Sequence, residues 1–168
     1  MNLDIRMIAP DHGVIWRSHI GSILKAYDEW SRNTFEKKAL VIYDTMWHAT
    51  ETMARAIADG LIGEGVSVRL CNLRVNHRSE IMTEVLDARA LLFGSATFNN
   101  GMLPLVADIL CYVKGLRPLN RIGAAFGSYG WSGEAVKLIT QAMEEMKIEI
   151  LDPGLRVKFT PNGEDLKR

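Results

Sequence analysis

The chain has 168 residues, 48% of them hydrophobic and 24% charged, which excludes intrinsic disorder and fits one ordinary domain or a domain with a short appendage. Lys plus Arg is 20 and Asp plus Glu is 20, so no basic footprint argues for nucleic acid; two cysteines, Cys71 and Cys111, make neither a disulfide framework nor a cysteine-rich metal site. No apolar run approaches the roughly 20 residues that span a bilayer and no signal-peptide pattern opens the chain, so a soluble, cytoplasmic protein without a membrane partner is expected.

Residues 1–36 are irregular in pattern: an apolar patch, then Pro10-Asp11-His12-Gly13, then a stretch in which Ile20, Ile23, Leu24, Tyr27 and Trp30 recur at helical spacing. A segment this short cannot fold unaided and must pack on something else. From Lys37 the pattern turns regular. Ala39-Leu40-Val41-Ile42-Tyr43 is a continuous apolar run, as in a parallel strand buried on both faces. A helix follows on Met53, Ile57 and Leu61 and is stopped by Gly63 and Gly65. Residues 66–71 alternate as a strand nearer a sheet edge, and 79–87 form a short helix. Ala90 to Gly94 is wholly apolar and therefore a central strand. Leu103–Lys114 reads as helix, Ile122–Gly127 as the fourth strand, Gly133–Lys147 as helix, and Ile148–Val157 as a fifth strand broken at Pro153-Gly154.

Strands alternating with helices predict an α/β fold: a five-stranded parallel sheet with right-handed crossovers and helices on both faces. Such sheets bind ligands beyond the carboxyl ends of their strands. Three loops lie there. The first, Asp44-Thr45-Met46-Trp47-His48-Ala49-Thr50, leads into a helix whose first N–H groups lack partners, a ready site for an anion. It has no Lys or Arg, which disfavours a nucleoside triphosphate and suits a single phosphate monoester. The alternative is that Thr50 merely caps the helix. The second, Ser95-Ala96-Thr97-Phe98-Asn99-Asn100-Gly101-Met102, offers hydroxyls from Ser95 and Thr97 and a sharp turn at Asn99-Asn100-Gly101, which could aim peptide groups at a planar ligand; taken alone it also reads as an ordinary capped connection. The third, Ser128-Tyr129-Gly130-Trp131-Ser132-Gly133, sets two aromatics among glycines where core packing gains nothing, though a loop-anchoring role is the alternative.

These stretches carry a resemblance. Ile42-Tyr43-Asp44-Thr45-Met46-Trp47, Thr50-Glu51-Thr52-Met53-Ala54, Gly94 to Gly101 and Phe126 to Gly133 resemble the FMN-binding domain of the flavodiiron proteins, the A-type flavoproteins. The resemblance implies a flavodoxin-like three-layer sandwich over 37–168 with strand order 2-1-3-4-5. Ile8 to Arg17 is similar to the end of the metallo-β-lactamase-like domain that precedes it in that family, and His12 stands at the position of the last diiron ligand. Residues 1–36 are accordingly expected to be a remnant of that domain with a linker helix. His19, His48 and His77 are scattered and cannot complete a metal site with His12. Ala96 departs from a frequent proline, and His48-Ala49 from frequent small residues.

By that resemblance the chain binds one FMN. Thr45, Met46, Trp47, His48, Ala49 and Thr50 would hold the phosphate. Ser95, Thr97, Phe98, Asn99, Asn100 and Gly101 would meet the pyrimidine end and flank of the ring, while Ser128, Tyr129, Gly130, Trp131 and Gly133 would line it. Trp131 is the preferred stacking partner, ahead of Trp47 and Phe98. Asp44 and Glu51 near the phosphate, with no cation in any of the three loops, predict a low-potential couple. In the parent family electrons pass from a rubredoxin or related reductase through FMN to a diiron centre, in cis or in the other subunit of a head-to-tail homodimer, where oxygen or nitric oxide is reduced. The alternatives are a stand-alone flavodoxin-like carrier and an NAD(P)H-dependent quinone or flavin reductase. A phosphoryl-accepting receiver is disfavoured because Ser95 stands where its aspartate belongs.

Overall fold

The unbroken apolar run that opens the regular part of the chain becomes strand β1 (Glu36–Tyr43), whose last five residues are all buried. The computed structural model describes residues 4–167 and divides into two units, Met1–Thr34 and Phe35–Arg168. In the first unit Ile8 and Trp16 exchange backbone hydrogen bonds across a turn, and helix α1 (Ile20–Ser31) follows. The predicted helix is there, with Tyr27 set edge-on to Trp30, yet no described residue of this unit is buried. That is what a segment too short for a core of its own should look like.

The second unit is a parallel sheet. After β1 come α2 (Ala49–Gly63), β2 (Ser67–Asn72), α3 (Arg78–Asp87), β3 (Ala88–Gly94), α4 (Pro104–Leu116), β6 (Ile122–Tyr129) and α5 (Glu134–Glu145). Between β3 and α4 lies a two-stranded hairpin, β4 (Thr97–Phe98) and β5 (Gly101–Met102). Two short strands, β7 (Glu149–Ile150) and β8 (Leu155–Lys158), share the fifth place in the sheet, pairing with successive stretches of β6 on either side of the break at Pro153-Gly154. The order β2-β1-β3-β6-β7 is the expected 2-1-3-4-5, with β2 at an edge and β3 central.

The layers are unequal. On one face α3, α4 and α5 bury Ile81, Val85, Ile109, Ile139 and Met143 against Leu40, Leu91 and Phe93. On the other, α2 sets Met53 and Ala54 against Val41, Tyr43 and Phe126. Ala90, Leu92, Ile122 and Ala124, alternate residues of the two central strands on that second face, are only half-buried and floor a trough of about 490 Å³ beside Leu61 and Leu151. At the opposite end of the sheet from the loops, the buried Arg121 lies over the Phe35 ring at 3.9 Å and donates from Nη2 to the carbonyls of Val85 and Leu86, closing the carboxyl end of α3.

Two expectations shift. Strand β6 runs through Tyr129, so Ser128 and Tyr129 belong to the strand and the third loop begins at Gly130. In the second loop the left-handed residues are Asn99 (φ 48) and Asn100 (φ 56), a pair that closes the two-residue hairpin, whereas Gly101 is already in β5.

Candidate functional site

The sheet delivers its loops to one place because Tyr43 and Gly94 end neighbouring strands in register, while β6 runs on past their level to Tyr129. Tyr43 pairs with Gly94, Gly94 with Phe126, and the Asp44 N–H donates to the Gly94 carbonyl. Beyond these ends lies a cleft of about 290 Å³ lined by Met46, Trp47 and Ala49 from the first loop, Ala96 and Thr97 from the second, Ser128 and Tyr129 from the end of β6, and Gly130 from the third loop, together with Phe159 and Thr160.

The first loop turns into α2 through His48 at φ 63, and no side chain caps the helix. The cap is therefore His48 rather than Thr50, and the amide groups at the start of α2 are left without the partner a capping oxygen would supply. Thr50, the fully buried second residue of α2, holds its Oγ1 3.1 Å from Ser128 Oγ, a hydrogen bond that fastens the start of α2 to the end of β6. Thr45 is buried too, and among the described residues its Oγ1 is one of the buried side-chain oxygens with no partner. A buried orphan hydroxyl in the loop that leads into a helix terminus with no capping side chain suits an anion, and a closed apolar junction would avoid it.

The second loop is held from below. Ser95 is fully buried; its hydroxyl donates to the Ala96 carbonyl at 2.8 Å and accepts from the Leu103 N–H at 2.9 Å. Ser95 therefore staples the hairpin between its two ends and does not line the cleft. Thr97 lines it, and its Oγ1 accepts weakly from the Ala135 N–H of α5 at 3.4 Å. Phe98, Asn99 and Asn100 stand exposed at the hairpin tip, with Gly101 behind them.

The close approach beneath this loop depends on Gly127: a Cβ there would lie 1.9 Å from the Ser95 carbonyl oxygen. Gly133, at φ 81, is needed for conformation and for space alike, since a Cβ would meet the Tyr129 ring at 3.2 Å. It seats Tyr129 rather than facing the cleft. Of the two tryptophans, Trp47 lines the cleft at 83% exposure; Trp131 is 90% exposed and does not line it.

The electrostatics depart from a cation-free site. Asp44, 1% exposed, accepts two hydrogen bonds on Oδ1, from the Thr45 N–H at 2.8 Å and from Arg74 Nε at 2.6 Å. Glu51 accepts from Arg55 at 2.7 Å and lies 2.9 Å from His48 Nδ1. The His48 hydrogen bond first, and Arg55 second, hold the Glu51 carboxyl below the usual range. Burial, reinforced by Glu51, pushes the Tyr43 phenol up. Neither Asp44 nor Glu51 is thus a bare negative charge, and the low potential inferred from them loses that support. Among the described residues no three His, Cys, Asp or Glu side chains gather as metal ligands, and no helix is long and apolar enough to cross a membrane.

Sequence reasoning missed Arg74, Phe159 and Thr160. Arg74 comes from the β2–α3 connection, a loop outside the three considered. Phe159, with φ 62, follows the last strand and donates its N–H to the Tyr129 carbonyl at 2.7 Å. An aromatic just past a parallel strand's carboxyl end was the available signal, the same one that drew attention to Tyr129.

Comparison with known proteins agrees with this geometry. A nitric oxide reductase of Moorella thermoacetica is 47% identical over 169 residues, taking in 100% of this chain and 42% of its own length. The structure of rubredoxin oxygen:oxidoreductase from the anaerobe Desulfovibrio gigas superposes with a TM-score of 0.90 at 42% identity, over 96% of this chain and 41% of that one. The flavodiiron protein from Giardia intestinalis does so at 0.91 and 34%, over 97% and 41%. The chain spans about two-fifths of the length of these relatives. A profile of the flavodoxin family matches residues 41–168, and with the sheet order and the three-loop cleft this places the chain in the flavodoxin family, whose cofactor is FMN.

Proposed function

We propose that the chain is an FMN-binding electron-transfer module of a flavodiiron oxidoreductase. The observation that carries the reading is the meeting of loops from three adjacent strands on one cleft, where Ala49 brings in the uncapped start of α2, with the orphan Thr45 hydroxyl buried in the same first loop. These residues fit the cofactor. The α2 terminus with Thr45 and Thr50 would take the phosphate, the hairpin backbone at Thr97 to Gly101 would meet the pyrimidine edge, and Trp47 with Tyr129 would flank the ring, Trp131 closing from outside. Bound FMN supplies a redox couple that accepts and gives electrons. The chain would orient the ring, hold its phosphate with no cation supplied by the three loops themselves, and leave one edge open for exchange with partners.

In the longer protein, electrons would enter from a rubredoxin-type donor and leave for a diiron centre that reduces oxygen or nitric oxide. This draws on what the relatives are called: a nitric oxide reductase, a rubredoxin oxygen:oxidoreductase and a flavodiiron protein. Residues 1–36 are read as the closing segment of the metal-binding domain, in keeping with a first unit that buries nothing of itself, and the working assembly as a homodimer.

Titration of apoprotein with FMN, followed by quenching of flavin fluorescence, tests the first part. A 1:1 yellow complex is expected. The Thr50→Val protein should lose more affinity for FMN than for riboflavin, which lacks the phosphate; equal losses would move the phosphate elsewhere.

A further inference from the structure

We infer that Arg74 is a positioning residue of the phosphate site, acting through Asp44. The inference rests on the reading that the first loop holds the FMN phosphate. Asp44 opens that loop, and its carboxylate is buried just past the carboxyl end of β1, one residue before Thr45 and its orphan hydroxyl. A buried carboxylate under a phosphate site works against the ligand, since two like charges in a poorly solvated place repel and each needs a partner. No residue of the three cleft loops can neutralise it.

The β2–α3 connection does so instead, and its backbone is folded for that purpose. Asn72, the last residue of β2, accepts the Arg74 N–H on its side-chain oxygen at 2.9 Å, and its carbonyl accepts from the N–H groups of Val75 at 3.0 Å and Asn76 at 2.8 Å. The Leu73 N–H donates to the Tyr43 carbonyl at 2.9 Å, so the turn is pinned to the end of β1. This brings Arg74 back across the strand end, where Nε meets Asp44 Oδ1 at 2.6 Å. The same oxygen accepts the Thr45 N–H, so the pair neutralises the carboxylate and also fixes the first peptide of the phosphate loop. Other charges on the adjoining helix face are already matched, Glu51 by Arg55 and His48. Arg74 thus supplies, from outside the pocket, the positive charge that the loops lack.

The test is a set of dissociation constants for FMN and riboflavin, with apoprotein melting temperatures, in wild type, Arg74→Met, Arg74→Lys and the double variant Asp44→Asn/Arg74→Met. Removing the cation alone should weaken FMN by about tenfold or more and riboflavin by no more than about twofold, because only FMN brings a second negative charge. Asparagine at 44 keeps an oxygen for the Thr45 N–H without the charge, so the double variant should recover FMN affinity to within about threefold of wild type. Lysine keeps the charge and should keep the wild-type ratio of the two constants; being the milder change, it carries the test if Arg74→Met fails to fold. Equal losses for FMN and riboflavin would overturn the inference, as the loop would merely have unravelled. An FMN-specific loss that Asp44→Asn does not rescue would also overturn it, placing Arg74 on the phosphate itself, and so would no loss at all. A wild-type protein that binds neither flavin would overturn the site reading beneath it, an outcome separate from the others.

Discussion

The site's weakest tolerance lies not in a polar residue but in Gly127, where β6 passes under the start of the second loop. A methyl group there would sit 1.9 Å from the Ser95 carbonyl oxygen and 3.4 Å from Val136 Cγ2, the first far inside the 3.4 Å at which ordinary contact begins. The obstacle is backbone, so no rotamer change relieves it; either β6 or the β3–β4 junction must move. Forced overpacking of this kind costs about 3 kcal/mol, which for a chain of this length corresponds to a fall in Tm of about 6–12 °C. Gly60 supplies the control. It lies exposed in α2 with nothing near a built Cβ, so Gly60→Ala should stabilise by up to about 1 kcal/mol. Thermal melts of apoprotein, read by far-ultraviolet circular dichroism, measure both. Because Ser95 anchors the hairpin through the Leu103 N–H, Gly127→Ala should also lower FMN affinity, while Gly60→Ala leaves it alone. A Gly127→Ala protein melting within about 2 °C of wild type would refute the packing argument.

Two further outcomes are expected. Asn100→Val should cost about 1–2 kcal/mol, since a β-branched residue is strained at φ 56, and should weaken FMN, whereas Asn100→Gly should keep both stability and binding; denaturant titrations and flavin binding separate the two. Cys71 is buried, and burial pushes its thiol up to about 11, while Cys111 is exposed; at pH 8 a thiol reagent should titrate one cysteine in the native protein and both in denaturant.

The layered fold was legible because its strands are short and nearly pure. Ala39 to Tyr43 and Ala90 to Gly94 admit no other reading once helical stretches separate them, and the order of the sheet came with the resemblance. The hairpin was half legible. Two asparagines in succession announce left-handed backbone, but two-residue strands leave no periodicity to detect, so Thr97-Phe98 and Gly101-Met102 passed as loop. Arg74 was not legible at all. Its partner lies 30 residues away and the link depends on how Asn72 folds the intervening turn, which local pattern does not encode. The same limit hid the structural roles of Ser95 and Gly133: residue type marked them as ligands, while their surroundings also make one a staple of the hairpin and the other a seat for Tyr129.

The lopsided coverage of the sheet bears on how the cofactor and the folded state influence each other. The helix whose first turn is proposed to meet the phosphate is also, among the described residues of the second unit, the one long helix in its core cluster, leaning on β1, β2 and β6. Elements with little lateral support open first in native-state fluctuations. A ligand gripping that terminus therefore restrains the part of the molecule with most freedom to lose, and amide exchange along α2 should slow on loading far more than along α4, deep in the three-helix layer.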